Sequence, residues 1–543
     1  VDVKQLAEIA DDLFTKKAPL NSLHQEIADN FYPERADFTV KRSMGQDFAS
    51  NLMSSFPVRT RRSLGDQFSS MLRPTAKAWF HVKRRHIDRD EDTETKAWLQ
   101  HFEEVQRRAM YDRAARLARA TKEGDHDFAA FGQCALSVEM NKDQSGLLYR
   151  CWHLRDMAWQ EDAEGGIGFV ARRWKPTALT LKATFKKVHQ KITDAVAKTP
   201  FEEFDILHMV VPAEMYDKTA RGGMERFSIY YDRQHDCVME DLPIHGRHYI
   251  VPRWQTVSGS QYSYSPATVC ALPDARLLQA MTFTLLEAGE KATSPPMVAT
   301  KDAIRGDVST YAGGVTWVDR EYDERLGDAL RPISQDFRGF NFGVELNQDT
   351  RGLIHSAFYL DKLSMPQRSA AMTAYEVGQR VQEYIRDALP IFEPLEYEYN
   401  AALCDETFGL LMRGGAFGSP QEWPRALRGA EVDFAFESPL HDAIEMQKGQ
   451  KVQEVQALTA AAVALDPTAG YIPNAKQMLR DALLSVGVEP RWLHSEAEVD
   501  QRTQEAQNKA EQAQQLAAME SASTSAKNLG QSGLMPQAEP AQV

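Results

Sequence analysis

Chemistry needs particular residue types at particular spacings, and a few segments of this 543-residue chain come near such patterns. His245-Gly246-Arg247-His248 sets two imidazoles three positions apart. No cysteine or third ligand stands beside them, so an exposed turn is the simpler reading than a metal site. Val257-Ser258-Gly259-Ser260 holds serines beside a glycine, but a nucleophile elbow needs G-x-S-x-G between a strand and a helix, and that pattern is absent. Gly165-Gly166-Ile167-Gly168 hints at a dinucleotide loop; with no helix after it, it reads as a hairpin turn. The run Asp88-Arg89-Asp90-Glu91-Asp92-Thr93-Glu94 supplies carboxylates without the ligand spacing of a calcium loop. It reads as a solvated connection and helix start, where acids are favoured. No Gly-Lys dipeptide occurs anywhere, which argues against a P-loop ATPase, and H-E-x-x-H is also missing. No catalytic residue, metal or cofactor is therefore expected.

Charge narrows the classes further. The chain has 63 Lys+Arg against 77 Asp+Glu, a net of −14. Residues 1–120 carry 21 basic and 18 acidic side chains, so the excess of acid lies beyond them. Such a balance excludes a protein that coats DNA by neutralising phosphates. It permits one past which DNA slides. Arg59, Arg61, Arg62 and Lys83-Arg84-Arg85 could touch DNA or an acidic partner, or form a solvated outer face. Five widely spaced cysteines suggest a reducing compartment and no disulfide framework. No apolar run is long enough to span a membrane, and no signal peptide is visible in residues 1–20.

The elements that must position any site follow from periodicity. Residues 3–14 have helical spacing, and Ser22 with Gln25 is expected to cap a second helix ending at Pro33. Leu64, Phe68, Met71 and Leu72 mark a helix stopped by Pro74, residues 79–82 a strand, and 94–121 one long charged helix. Alternation then takes over: strands are expected at 134–140, 147–152, 157–160, 167–174, 205–212, 226–232, 237–240 and 249–254. Helices return at 272–291, 346–363 and 369–413, the last broken near Pro390 by a kink or a helix end. A small β element is expected near 315–318, a strand at 432–436, and helices at 444–465 and 475–486. Residues 496–520 form a helix that is polar all round and needs neighbours, and 521–543 read as disordered. The fold class is α+β, mainly helical.

Several segments resemble the head-to-tail connector (portal) proteins of short-tailed bacteriophages, the podoviruses. One runs from Tyr264-Ser265-Pro266 through Ala271-Leu272-Pro273-Asp274-Ala275-Arg276 to Pro295-Pro296-Met297-Val298. Another runs from Met372-Thr373-Ala374-Tyr375 through Glu393-Pro394-Leu395-Glu396-Tyr397-Glu398 to Phe408-Gly409-Leu410-Leu411-Met412-Arg413. Leu72-Arg73-Pro74-Thr75, Trp79-Phe80 and Phe128-Ala129-Ala130-Phe131-Gly132 are similar too, and together the match covers roughly residues 1–490. The stretch 298–343 lacks a strong match.

That resemblance implies a ring of about twelve copies at one capsid vertex, through which double-stranded DNA passes during packaging and ejection. It implies a portal fold with wing, stem, clip and crown: wing 1–265, descending stem helix 266–291, clip 292–344, ascending stem helix 345–363, channel loop 364–368, long kinked wing helix 369–429, crown 430–495, barrel helix 496–520 and disordered tail 521–543. Arg351, Lys362, Ser364, Met365, Gln367 and Arg368 become candidates to meet DNA; interhelical salt bridges are the alternative for the cations. Implied partners are further copies, terminase, scaffolding protein, major capsid protein and tail adaptors, with no membrane. The place is the virion, after assembly in the host cytoplasm. Another virion building block, such as an internal core protein, or a packaging enzyme are the competing readings.

Overall fold

The computed structural model describes residues 1–42, 49, 52–74, 78–85, 93–216, 224–299, 304, 307–308, 317–318, 330–332, 338–363, 386, 391 and 393–436, with scattered residues between 452 and 519. Val1–Asp90 and Glu94–His441 make one compact unit; Glu91–Thr93 and Asp442–Val543 make another. In the second unit, 455–462 and 501–513 are helical.

Helix α1 is continuous over Val3–Phe31, not two helices. Its capping box lies at the start: the Asp2 carboxylate accepts from Val3 N, and the Gln5 side chain accepts from Asp2 N. Gln25, expected in a cap, holds the following loop instead. Its amide donates to Ala36 O at 2.9 Å and accepts from Phe38 N at 2.8 Å. Helix α2 spans Phe56–Leu72 and ends where expected. The expected helix over 94–121 is two helices, α3 (Thr93–Met110) and α4 (Leu117–Phe131). Asp112 accepts from Ala114 N at 2.7 Å, and Arg116 takes a left-handed φ of 59°. This local turn competes with the helix and wins.

Strands arrive in the predicted order. They are β1 (Phe80–Arg84), β2 (Ala135–Met140), β3 (Leu147–Trp152), β4 (Met157–Glu161), β5 (Ile167–Trp174), β6 (Ile206–Pro212), β7 (Arg226–Asp232), β8 (Cys237–Ile244) and β9 (Tyr249–Ile250). Strands β4 to β8 form a five-stranded antiparallel meander, and β3-β2-β9 a second sheet. Two short helices lie between β5 and β6, α5 (Ala178–Thr184) and α6 (Gln190–Lys198). The alternation reading had passed over both. The first half of α1 packs Leu6, Ala10 and Leu13 with Leu207, Met209 and Ile229 of the meander. Its second half, through Ile27 and Phe31, joins the main core of α2, α4, β2 and β3. One unbroken helix thus ties two cores together.

Helix α7 covers Pro266–Thr293, with Ser265 as N-cap and Pro266 at the first turn, where a missing N–H costs nothing. Short strands pair antiparallel, β10 (Gln255–Thr256) with β11 (Ser263–Tyr264) and β12 (Met297–Ala299) with β13 (Leu330–Pro332). Of the β element expected near 315–318, Val318 bridges Ile304. Helix α8 spans Arg338–Ala357 and α9 Leu360–Leu363. The expected single helix is interrupted because Tyr359 adopts a left-handed φ of 56° between buried Phe358 and Leu360. Pro390 lies outside the described residues. After Pro394 the backbone takes a π-helical turn, Leu395–Ala401, and continues as α10 (Ala402–Arg413). Strand β14 (Val432–Phe436) pairs antiparallel with β1, inside the first unit.

Candidate functional site

The chemistry-bearing segments resolve into structural roles. Gly165, at φ 80°, turns the β4–β5 hairpin, and Gly259, at φ 87°, sits in a loop turn. The His245–His248 segment is a turn, but it is clasped. Arg247 N and His248 N both donate to the Glu406 carboxylate of α10, at 2.9 and 3.3 Å. Gly246 has φ 79°, and a Cβ there would lie 2.4 Å from Glu406 Oε2. The basic clusters are largely used internally. Arg61 is buried with its guanidinium 3.8 Å from the Tyr32 ring centre, while Arg62 reaches Glu34 at 3.5 Å. Arg85 pairs with Glu431 at 3.1 Å beside β14. Among the described residues no cluster of three metal-ligating side chains occurs, and the five cysteines are unpaired. No described helix is long and apolar enough to cross a membrane. The acidic run at 88–92 lies outside the described residues.

What remains is a helix pair that runs out of the core. Helices α7 and α8 are antiparallel: Asn347 Nδ2 donates to Thr282 Oγ1 at 3.2 Å, and Leu285 Cδ2 lies 3.0 Å from where a Gly343 Cβ would be. Glycine at 343 is what lets the helices approach so closely. One end of the pair is anchored. Ala267, Ala271, Leu272, Ala275 and Leu278 are buried, and so are Ile354 and Phe358, whose ring lies 5.4 Å from that of Phe31. The Gln279 side chain ties this end down by accepting from Met53 N and Ser54 N, each at 2.8 Å.

Past Leu278 no residue of α7 is buried. Leu277, Phe283 and Leu286 are 44, 49 and 54% exposed; on α8, Phe342 and Leu353 are 67 and 52% exposed. A helix that shows this much apolar surface on the side away from its partner is built to meet something else. Its charges are equally unpartnered. Asp274, Glu287, Glu290, Lys291, Glu345, Asp349 and Arg351 enter no ion pair in the described structure, whereas Arg276 is taken by Glu26. That leaves five acids and two bases available, a mildly anionic surface.

Of the predicted contact residues, Arg351 is exposed on α8 with its guanidinium 5.9 Å from the Phe56 ring centre, and Lys362 is exposed on α9. Among the described residues neither is paired with a carboxylate; His355 takes the nearby Asp361 at 2.8 Å. Ser364, Met365, Gln367 and Arg368 lie outside the described residues. Sequence reasoning passed over the exposed Phe342 and Leu353, although they share an i, i+3, i+4 stripe with Glu345, Asp349 and Ser356 that a helix starting at Arg338 makes visible.

Comparison with known proteins shows what the chain is similar to. A family profile described as bacteriophage head to tail connecting protein matches residues 3–493. A "Probable portal protein" of Bordetella phage BPP-1 is 24% identical over 453 residues, covering 79% of this chain and 78% of that protein. The "Portal protein" of Salmonella phage epsilon15 is 22% identical over 556 residues, covering 97% and 95%. Among solved structures, a chain from the virion of a native gene transfer agent particle aligns with a TM-score of 0.35 and 11% identity, covering 84% of this chain and 98% of that one.

Proposed function

The chain belongs to the bacteriophage head-to-tail connecting protein family, and we propose that it is a viral portal: a ring-forming structural protein of the virion that conducts double-stranded DNA into and out of the capsid. One observation carries the reading. Helices α7 and α8 leave the core as an antiparallel pair with exposed apolar side chains, Phe283, Leu286, Phe342 and Leu353 among them, and with charges that mostly enter no ion pair among the described residues. Neighbouring copies supply partners for the apolar groups, and the remaining charges face the axis.

The dimensions are suitable. A helix with side chains is roughly 10–12 Å across, so about twelve packed side by side enclose a bore of roughly 28–34 Å, enough for a hydrated duplex. The charge is suitable as well. A surface bearing Glu287, Glu290, Glu345 and Asp349 offers phosphates no deep minimum, so a moving duplex is not trapped. Arg351 and Lys362 supply isolated cations for transient contact. In this reading α7 is the descending stem helix, α8 with α9 the ascending one, the residues between them the clip, and the N-terminal helices and sheets the wing. The exposed, polar 501–513 helix belongs to a barrel shared among copies. Terminase, scaffolding protein, the major capsid protein and tail adaptors are the partners proposed for the two ends of the ring. The role is structural, without catalysis.

Negative-stain electron microscopy of the purified protein tests this. Open rings with a central hole are expected; compact single molecules, or filaments, would falsify the reading.

A further inference from the structure

The segment between β5 and β6 has a charge unlike the rest of the chain. Residues 175–198 contain Lys175, Lys182, Lys186, Lys187, Lys191 and Lys198 against one acid, Asp194, within a protein whose net charge is −14. All six lysines are exposed, and none enters an ion pair among the described residues. Lys142, on the β2–β3 turn, adds a seventh: its ammonium donates to Ala183 O at the end of α5, at 3.1 Å. Four carboxylates stand among or beside the seven lysines: Glu240, close enough to Lys186 to feel its charge, Asp194, Glu202 and Glu203, so the patch keeps a positive excess.

The lysines sit on a rigid base. Helices α5 and α6 enclose a small core of Ala178, Leu181, Phe185, Ile192, Ala195 and Phe204, which packs onto Ile206 and Met239 of the meander. Backbone bonds staple the entry to the exit: Ala178 N to Glu202 O at 2.9 Å and Phe204 N to Pro176 O at 3.0 Å. Thr177 caps α5, and the His189 ring stacks on His235 at 4.5 Å. A net positive patch on an acidic protein, carried by a well-packed scaffold, attracts a polyanion.

We propose that this lysine platform docks the phosphate backbone of double-stranded DNA, at a site separate from the helix pair α7–α8. Lysine is depleted at protein–protein interfaces, where arginine and aromatic side chains dominate, and 175–198 contains no arginine. Lysine ammoniums act as point charges that neutralise backbone phosphates without regard to sequence. A platform of this kind holds a duplex against the protein's surface while the helix pair lets it slide. The conduit reading supplies only the choice of polyanion.

The test uses the full-length protein, a fluorescent 30-base-pair duplex and anisotropy across a salt series. Wild type is expected to bind at low salt and to weaken steeply as salt rises, by about 0.9 log units in affinity per log unit of salt for each phosphate neutralised. The variant K182E/K186E/K187E/K191E is expected to bind at least about tenfold more weakly, with a salt slope smaller by roughly 3–4. Phe201→Ala, which removes a side chain 78% exposed next to Pro200, is expected to bind like wild type. Circular dichroism and microscopy of the same preparations report folding and ring formation, so failure of the conduit reading is seen separately. Equal affinity in the quadruple variant and wild type overturns the proposal. So does a wild type that ignores the duplex but binds polyglutamate with dependence on Phe201, which would mark an acidic protein as the partner.

Discussion

Arg73 Nη1 donates to the Asn400 side-chain oxygen at 2.7 Å, across 327 positions of sequence. Arg73 follows α2, and Asn400 stands in the π-turn before α10, so this bond fixes the late helix against the early core. Arg73 also pairs with Asp125 of α4, both buried, and its guanidinium lies 4.6 Å from the Tyr399 ring centre. The adjacent carboxylate keeps Arg73 charged, above its ordinary range, despite burial. Replacing Arg73 with Met strands the Asp125 carboxylate in the interior, and a loss of about 3–5 kcal/mol is expected in urea unfolding. Adding Asp125→Leu should restore much of it, because the stranded charge goes. A double variant as unstable as the single one would show that the cost lies elsewhere.

Acid should loosen this fold over a definite window. Burial holds His24 and His208 well below the ordinary value of 6.5, and His126 and His248 down at about 4. His126 Nδ1 faces the Arg61 guanidinium at 3.0 Å, so a proton there would set two cations together. At these imidazoles, between pH 6.5 and 4, the unfolded chain binds protons that the folded chain refuses, so their contribution is present above pH 6.5 and lost as pH falls. Asp405, raised by burial to about 6, pulls the other way, and the His126 variant isolates the imidazole part. Thermal unfolding from pH 7 to 4.5 checks this, and His126→Gln should flatten the decline.

Gly65 makes the same neighbourhood sensitive to a single methyl group. A Cβ at Gly65 would stand 2.2 Å from His126 Nδ1, and α2 holds that ring at both nitrogens, Arg61 3.0 Å from Nδ1 and Asp66 3.5 Å from Nε2. Gly65→Ala, which ordinarily favours a helix, should here destabilise by about 1–3 kcal/mol through overpacking. A rise in unfolding midpoint would refute that.

Much of the fold was legible because period and burial agree. The meander's strands alternate or run apolar as packed strands must; α7 starts at Pro266, six residues before the helix that periodicity gives from 272, because Ser265 and Pro266 cap it ahead of its apolar stripe. Failures occurred where a local polar group had two competing partners. Gln25 could serve a cap or a loop, and the loop won with three bonds; Asp112 could sit in a helix or close a turn. The candidate site was half legible. Sequence located the helix pair, but the exposure of Phe342 and Leu353 depends on which face α7 covers, which only packing decides. The lysine platform escaped because charge was counted over long stretches, in which six lysines vanish.

The exposed stripe on α8 should matter for assembly and not for folding. Leu353→Glu changes a side chain 52% exposed in one copy, so the unfolding midpoint should barely move. Ring yield in sedimentation should collapse, because each neighbour would have to bury a carboxylate. Arg351→Glu and Lys362→Glu should leave rings intact and lower the DNA content of assembled particles. Rings of normal yield from Leu353→Glu would place the subunit contact elsewhere.

Lys17 offers a test in alkali. It is 1% exposed on α1, and its ammonium donates to Leu154 O at 2.5 Å and Met157 O at 2.7 Å, with the Trp159 ring centre 5.2 Å away. Burial lowers its pKa from 10.5 to about 7, with Asp156 opposing the shift. Between pH 7 and 10.5 the unfolded chain carries a proton that the folded chain has given up, so this group makes stability rise with pH. The thiols of Cys134, Cys151 and Cys404 and the Tyr149 hydroxyl are shifted upward by desolvation and pull the other way, since the unfolded chain loses their protons first. Absolute stability in alkali is thus a contest, and the difference between two proteins isolates one group. Lys17→Met leaves two carbonyls unpaired and should be less stable than wild type at pH 9.5, where wild type carries a neutral amine. At pH 7 the gap should narrow, because wild type there still bears part of the cost of a buried charge. Urea unfolding of both proteins at the two values reads this directly. A gap that is constant, or wider at pH 7, would mean that Lys17 remains an ammonium throughout, held by its carbonyls and aromatic rings.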